Sequence, residues 1–276
     1  MAKNPGPIRS SMSRMILIRT YSPKTAAMMK ESLHQAFSGL WLESHVEDIF
    51  HICDELVKNG VKSNYKTILY WMEARKRFQA KNPDVALDEI DEWLYEVFYS
   101  GENELIELQF NKVEREKILN DLLGVLEMEA MYIDHRMGRR RLAHAGLLRE
   151  LIRIKRFCKK HRIGVQVRIE SAGDQLHITV SNDAPILEED LVRIQSVRST
   201  FRDFQRRGNE EQFFLEHINT SGGGHGLGYP LMDSILTTMH LDPDTSLFLI
   251  SATRTMILLS LPIVQPESHA LLPAPR

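Results

Sequence analysis

Two side chains of one predicted helix have the residue types and the spacing of a catalytic pair. Glu55 and Asn59 are four residues apart, so both project from the same helical face, and Lys62 follows one turn later. A carboxylate can orient or deprotonate a hydroxyl nucleophile, and a neutral amide oxygen is a suitable ligand for Mg²⁺. Taken alone, the segment is more typical of a solvated helix face.

A second polar pair, Asn182 and Asp183, leaves the end of a predicted strand and precedes Ala184 and Pro185. This position suits the recognition of an exocyclic amine on a ligand, because both side chains offer hydrogen-bond acceptors. Without its context, an Asn-Asp pair before Ala-Pro is typical turn chemistry.

A glycine-rich run stands directly before a predicted helix and reads GGGHGLG from Gly222 to Gly228. Glycines let backbone N–H groups approach an anion closely, and the helix N-terminus adds a favourable dipole. The pattern therefore predicts a phosphate cradle, although a flexible loop has a similar sequence. It differs from the dinucleotide-binding pattern GxGxxG and from the P-loop, which ends in Lys-Ser/Thr.

Start signals and hydrophobic periodicity predict the elements that position these three segments. Ser44 with Glu47 forms a capping box that starts the helix of Glu55, and Ser22-Pro23 starts an earlier helix. Alternation of apolar and polar residues, or a short apolar run, predicts strands at 15–20, 165–170, 175–181, 247–251 and 256–261. Helical patterns cover the stretch 188–217 and a segment from 229 to about 239.

The middle of the chain, from residue 66 to about 162, is almost entirely helical in pattern, with a basic turn RMGRRR at Arg136–Arg141. The basic turn either docks an acidic partner or is an ordinary charged helix end. Strands and helices together predict an α+β fold, with a mixed, mostly antiparallel sheet and helices on one face. The predicted division is 1–65, a helical insertion at 66–162, a second part of the core at 163–264, and a disordered tail at 265–276.

The order of the three segments resembles the ATPase superfamily shared by sensor histidine kinases, gyrase-type topoisomerases, mismatch-repair ATPases and anti-sigma-factor serine kinases (the GHKL superfamily). The stretch from Glu55 to Lys62, ELVKNGVK, is similar to the Glu/Asn helix of that family. The resemblance implies a two-layer α/β sandwich of the histidine-kinase type that binds ATP and Mg²⁺. It implies that Asn59 coordinates Mg²⁺, that Glu55 is the catalytic or orienting carboxylate, and that Lys62 lies near phosphate.

The same resemblance assigns roles to the other two segments. The family's strand-end motif Asp-x-Gly-x-Gly is similar to the stretch from Asn182 to Ile186, which implies that Asn182 or Asp183 accepts the adenine amino group. The family's Gly-x-Gly-Leu-Gly motif matches the residues that are implied to bind phosphates, namely Gly224, His225, Gly226, Leu227 and Gly228.

Three departures from the family pattern carry consequences. The strand-end motif lacks both glycines and has Asn182 where Asp is usual, Gly60 replaces the usual Ala, and about 100 helical residues separate the Glu/Asn helix from the hairpin. The resemblance predicts a cytoplasmic signalling kinase of serine or histidine type, or an ATP-dependent regulator of a partner protein. The alternative is a degenerate ATPase scaffold whose helical insertion binds a signalling partner.

The helical insertion leaves further alternatives open. It can form a homodimer interface, or it can carry a phospho-accepting histidine, for which His135 and His144 are the candidates. Neither is followed by the acidic residue that a histidine-kinase motif favours, so ordinary surface histidines are the simpler interpretation.

Composition excludes several classes of protein. The 276 residues carry 35 Lys and Arg against 37 Asp and Glu, and this near balance argues against a generic nucleic-acid binder. The two cysteines, Cys53 and Cys158, cannot make a disulfide framework. We see no apolar stretch that would span a bilayer and no secretory signal, so we expect a cytoplasmic protein.

Overall fold

A five-stranded antiparallel sheet forms the β layer of the protein. The structure, a computed structural model, describes residues 13–99, 110–139, 141, 148–186, 188–218, 227–251 and 253–265. The strands are β1 (Ser13–Ile18), β2 (Val165–Ala172), β3 (Gln175–Asn182), β4 (Leu247–Ser251) and β5 (Thr255–Pro262). Their order is β1-β2-β3-β5-β4, and every pairing is antiparallel, so the mixed sheet that we expected is antiparallel among the described strands.

Alternation along the strands determines which face of the sheet is covered. In β2, Val165, Val167 and Ile169 are buried, whereas Arg168 between them is exposed. The same period of two holds in β3 and β5, because successive side chains of a strand point to opposite faces. One face of the sheet therefore carries the core, and the predicted hairpin and closing strands are confirmed.

Helices make up most of the rest of the described chain and complete an α+β fold. They are α1 (Pro23–Phe37), α2 (Val46–Lys81), α3 (Leu87–Tyr99), α4 (Lys112–Arg136), α5 (Arg149–Lys160), α6 (Glu188–Arg206), α7 (Glu210–Ile218), α8 (Gly228–Thr238) and the short α9 (Pro243–Ser246). Helix α1 contacts β1, α2 contacts β2 and β3, and α8 packs against α2.

Local signals gave one helix start correctly and one wrongly. Ser22 caps α1, since its hydroxyl accepts a hydrogen bond from the Thr25 amide and Pro23 occupies the first turn. The predicted capping box at Ser44 is wrong. A 3₁₀ turn (Trp41–His45) precedes α2, the Ser44 hydroxyl donates to the Trp41 carbonyl, and Glu47 pairs with Lys30 at 2.6 Å.

Helix α2 joins the sheet to the helical insertion without a break. Its 36 residues span about 54 Å, and the predicted division at residue 65/66 falls inside it. The first half packs on β2 and β3, and α2 also contacts α3, α4 and α5. Tyr65, on α2, donates to Glu129 of α4 at 2.9 Å, and Lys155 of α5 reaches the same carboxylate at 3.2 Å. These buried contacts fix the insertion to α2.

No helix in the described part of the chain is long and apolar enough to cross a membrane.

Candidate functional site

The Glu55–Asn59 pair lies on α2, as predicted, and its two side chains touch. The Asn59 amide nitrogen donates to Oε1 of Glu55 at 3.3 Å. This hydrogen bond uses the donor side of Asn59 and does not involve its oxygen, which is the atom able to bind a hard cation. The Glu55 carboxylate therefore holds the Asn59 side chain by its amide nitrogen, as is required of a metal-binding amide beside a carboxylate.

The last glycine of the glycine-rich run meets this pair. Helix α8 begins at Gly228, and a Cβ atom on Gly228 would lie 2.7 Å from Oε1 of Glu55 and 3.1 Å from its Cγ. A side chain at this position would require the Glu55 carboxylate to shift, so glycine permits the close approach of backbone and carboxylate. Leu227 is the N-cap residue of α8, while Gly224, His225 and Gly226 lie outside the described residues. The first and third segments are thus adjacent.

The strand-end segment approaches α2 one turn further along. A Cβ atom on Gly60 would lie 2.9 Å from a Val165 methyl group and 3.4 Å from the Cβ of Asn182. Close packing of α2 on the ends of β2 and β3 therefore accounts for a glycine at position 60. All three segments converge on one stretch of α2.

Asn182 and Asp183 both make internal hydrogen bonds in this arrangement. Asn182 is 5% exposed, and its amide donates to the Ala184 carbonyl at 3.0 Å. The Asp183 carboxylate accepts from the Gly164 amide at 3.0 Å, and its other oxygen lies 3.9 Å from Arg254. These bonds shape the ends of β2 and β3, so both side chains serve the fold.

A buried asparagine that the sequence analysis did not single out connects α2 to both strand ends. Asn64 is 3% exposed, its amide donates to the Gly164 carbonyl at 3.1 Å, and its oxygen accepts from the Ala184 amide at 3.1 Å. The local signal for Asn64 is a polar residue four positions after Gly60 on the apolar face of α2, and this signal does not identify the strand ends that Asn64 contacts. Asn64 fixes the depth at which α2 sits on the sheet.

Lys62 faces a cluster of charges at the start of α6. Its pKa is lowered by burial and by the cations Arg193 and Lys66, and Asp190 and Glu55 oppose this shift only in part. Asp190 pairs with Lys66 at 2.8 Å and with Arg193 at 2.7 Å. Three cations, Lys62, Lys66 and Arg193, therefore lie beside two carboxylates, Asp190 and Glu55, and an anion bound here would add to the opposing negative charge.

The segment between the second and third motifs forms two helices, α6 and α7, that pack near α8. Arg198 of α6 makes a two-pronged ion pair with Asp233 of α8, at 2.8 and 2.6 Å, and Asp233 is fully buried. Arg202 pairs with Asp244, and Arg206 pairs with Asp203 at 3.1 Å. Most arginines of this segment therefore neutralise carboxylates of the protein itself, and only Arg193 lies in the Lys62 cluster.

A second cluster that the sequence analysis did not predict joins Tyr21, Asp54 and Lys58 beside Glu55. The Tyr21 hydroxyl donates to Asp54, Lys58 pairs with Asp54 at 2.6 Å, and the Lys58 ammonium lies 5.2 Å from the centre of the Tyr21 ring. Burial and the Asp54 carboxylate raise the pKa of Tyr21. The cluster ties the start of α1 to α2 and so supports the helix that carries Glu55.

Histidines and metal-binding clusters form no second centre in the described part of the chain. The described residues contain no group of three or more His, Cys, Asp or Glu side chains placed to hold a metal ion. His135 lies exposed near the end of α4, and His144 lies outside the described residues. A cation at Asn59 would accordingly need oxygen ligands from an accompanying anion such as a phosphate.

Two cavities flank α2. A small pocket beside the second segment is lined in part by Lys66, Ile186 and Asp190. A larger one of about 590 Å³ lies between α2, α4 and α5, away from Glu55 and Asn59. Comparison with models of protein families, with curated proteins and with solved structures finds no match for this chain.

Proposed function

We propose that the protein is a histidine-kinase-like ATPase domain that binds ATP with Mg²⁺ and acts as a signalling kinase or as an ATP-dependent regulator of a partner protein. One observation carries the proposal: three segments far apart in the chain meet on α2. Gly228 touches Glu55, and Gly60 brings Asn182 beside the same helix. If the three segments were only a solvated helix face, a turn and a flexible loop, they would have no reason to lie together.

The positions of the side chains support the roles proposed for them. Asn59 would hold Mg²⁺ through its amide oxygen, because its nitrogen already donates to Glu55. Glu55 would orient or deprotonate the attacking hydroxyl, since it lies beside the N-terminus of α8 where phosphates would bind. Lys62 would pair with phosphate and regain a pKa closer to its ordinary value. When bound, Mg²⁺ would neutralise charge on the transferring phosphoryl group.

The glycine-rich segment would supply backbone donors to the phosphates. This part of the proposal comprises Gly224, His225, Gly226, Leu227 and Gly228. Helix α8 begins at the last of them, has eleven residues, and its first residue lies against Glu55 of α2. Asn182 or Asp183 would accept the adenine amino group after exchanging one internal hydrogen bond.

The architecture supports the same proposal. One face of the antiparallel sheet carries the core, and α1 and α2 pack on the strands, which is the arrangement expected of a two-layer sandwich. The helical insertion enters between α2 and β2, so the core strands on both sides of it remain paired in one sheet.

A specific observation favours a second candidate, a degenerate scaffold that no longer binds nucleotide. Asn182 is nearly fully buried, and the Asp183 carboxylate accepts a backbone amide, so both adenine-reading candidates are already engaged. In that case the fold presents the helical insertion to a signalling partner, and the Glu55–Asn59 pair is a remnant.

Isothermal titration with ATP separates the two candidates. We expect saturable binding that weakens at least about tenfold when EDTA removes Mg²⁺, because Asn59 holds the cation only together with the phosphates. Asn59→Ala should lose this Mg²⁺-dependent part. Asn120→Ala is the matched control, since Asn120 is an exposed asparagine on α4.

Absence of binding at millimolar ATP would exclude the enzyme and leave the scaffold. Equal Mg²⁺ dependence in the Asn59→Ala protein and the wild type would show that the cation is held elsewhere. Retained folding of both variants is checked by circular dichroism.

A further inference from the structure

Charge is segregated within the helical insertion, although the chain as a whole is nearly neutral. Residues 82–111 contain nine acidic residues and no Lys or Arg, whereas residues 136–162 contain eleven Lys and Arg and a single acid, Glu150. The first stretch includes α3 and the second includes α5. Two surfaces of opposite sign therefore occur on one module.

The acidic surface is a stripe along α3, defined by Glu89, Glu92, Trp93 and Glu96. These positions are i, i+3, i+4 and i+7, so they share one helical face, and all four side chains are exposed. The three glutamates have no ion-pair partner among the described residues. Trp93 is 49% exposed and packs on Phe78 with ring centres 5.0 Å apart, which leaves its other side open to solvent.

The basic surface is a stripe along α5, defined by Arg149, Ile152, Arg153 and Arg156. These positions also follow an i, i+3, i+4, i+7 pattern, and all four side chains are exposed. Ile152 is 42% exposed, and the only ion pair that the described structure gives the three arginines is a 3.9 Å contact of Arg153 with Glu150 on its own helix. The stripe thus presents three cations around one apolar side chain.

The two stripes are complementary when the helices run antiparallel. With Trp93 placed opposite Ile152, Glu92 faces Arg153 and, at the two ends, Glu89 faces Arg156 and Glu96 faces Arg149. Both stripes extend about 10 Å along their helices, so the three charge pairs and the apolar pair fall in one register. A parallel alignment from the same starting residues would place Trp93 opposite an arginine and Ile152 opposite a glutamate.

We propose that the occupant of the α5 stripe is the α3 stripe of a second copy of this chain, paired antiparallel in this register. The α3 stripe and the α5 stripe are both exposed in one molecule, so they do not pair with each other there, and pairing between them requires two molecules. In a twofold dimer, α3 of each copy meets α5 of the other, and both contacts are equivalent. A nucleic acid or an anionic membrane fits less well, because the acidic stretch on the same module repels a polyanion. The proposal is independent of nucleotide binding.

Charge reversal of each stripe tests the pairing in the full-length chain. We expect wild-type protein at low salt to sediment at twice the 31.9 kDa of the chain, and to dissociate between about 50 and 500 mM salt. Variant A carries Glu89→Arg, Glu92→Arg and Glu96→Arg. Variant B carries Arg149→Glu, Arg153→Glu and Arg156→Glu. Each variant alone should dimerise at least about 100-fold more weakly, because every charge pair becomes a like-charge contact.

Mixing the two variants gives the decisive result. Variant A is basic on both stripes and variant B is acidic on both, so an equimolar mixture should form heterodimers with affinity near that of the wild type. A control variant reverses three exposed glutamates outside the stripes, Glu116, Glu127 and Glu211, and should dimerise normally.

Three outcomes would overturn the proposal. They are a wild-type chain that is monomeric at about 50 µM, dimerisation that both variants retain, and a mixture that stays monomeric. Circular dichroism of each variant identifies loss of dimer through unfolding, and in that case single reversals at Glu92 and Arg153 replace the triple ones.

Discussion

The closeness of α2 to the sheet predicts that Gly60→Ala does not stabilise the protein, although alanine is the better helix former. Gly60 lies inside α2, where exchange of glycine for alanine ordinarily stabilises a helix by about 1 kcal/mol. The added methyl group would lie 2.9 Å from a methyl group of Val165. Val165 is fully buried and β-branched, so it cannot rotate away without strain.

The magnitude follows from these opposing terms. Inserting a methyl group into a well-packed core costs about 1–3 kcal/mol, which offsets or exceeds the gain in helix propensity. We therefore expect a net change in the free energy of unfolding between zero and a loss of about 2 kcal/mol. Gly124→Ala is the matched control, because Gly124 lies inside α4 and a Cβ atom there would meet nothing within 4 Å. That variant should gain about 1 kcal/mol.

Urea unfolding of both variants measures the difference, which should be about 1–3 kcal/mol in favour of Gly124→Ala. A double-mutant cycle with Val165→Ala adds a direct test, since removing the opposing methyl groups should make Gly60→Ala less costly in that background. Equal stabilisation by the two glycine substitutions would refute the close packing of α2 on β2, and with it the convergence of the three segments.

Two further predictions concern charged groups near the site. Arg198→Met should destabilise the protein by about 3–5 kcal/mol in thermal or urea unfolding, because it leaves the fully buried Asp233 without its partner; a loss below about 1 kcal/mol would mean that the pair is dispensable. Lys62→Met should instead stabilise the fold at neutral pH while weakening ATP binding in the titration. The pKa of Lys62 in the folded chain lies below its value in the unfolded chain, so the folded chain binds fewer protons. The free energy of unfolding of the wild type therefore rises with pH between these two pKa values. Loss of this rise in the Lys62→Met protein identifies Lys62 as its source.

Much of the fold was predictable from local patterns, because those patterns are physical requirements of the elements themselves. The hairpin of β2 and β3 and the closing strand β5 follow from strict alternation, and α1 follows from Ser22 and Pro23. The start of α2 was not predictable, since Ser44 has the right type and spacing but its hydroxyl bonds to Trp41 inside a 3₁₀ turn. Leu42 is fully buried in this turn and Glu47 pairs with Lys30, and no local pattern encodes these contacts.

In the candidate site, too, local spacing was predictable and tertiary contacts were not. The sequence placed Glu55 and Asn59 on one helical face correctly, because spacing along a helix determines which residues share a face. It did not predict the role of Asn64 or the ion pair between Arg198 and Asp233, because both depend on which elements the fold brings together. The function of Gly60 was likewise recognisable only once Val165 was seen opposite it.

The uninterrupted length of α2 has a mechanical consequence. A tilt of about 5° around Gly60 moves the far end of the helix at Lys81 by nearly 3 Å, since about 32 Å of helix lies between them. The same tilt shifts Asn59 by only a fraction of an ångström. If α2 tilts rigidly about Gly60, the displacement at the insertion end of the helix is therefore many times larger than the displacement of the Glu55–Asn59 pair.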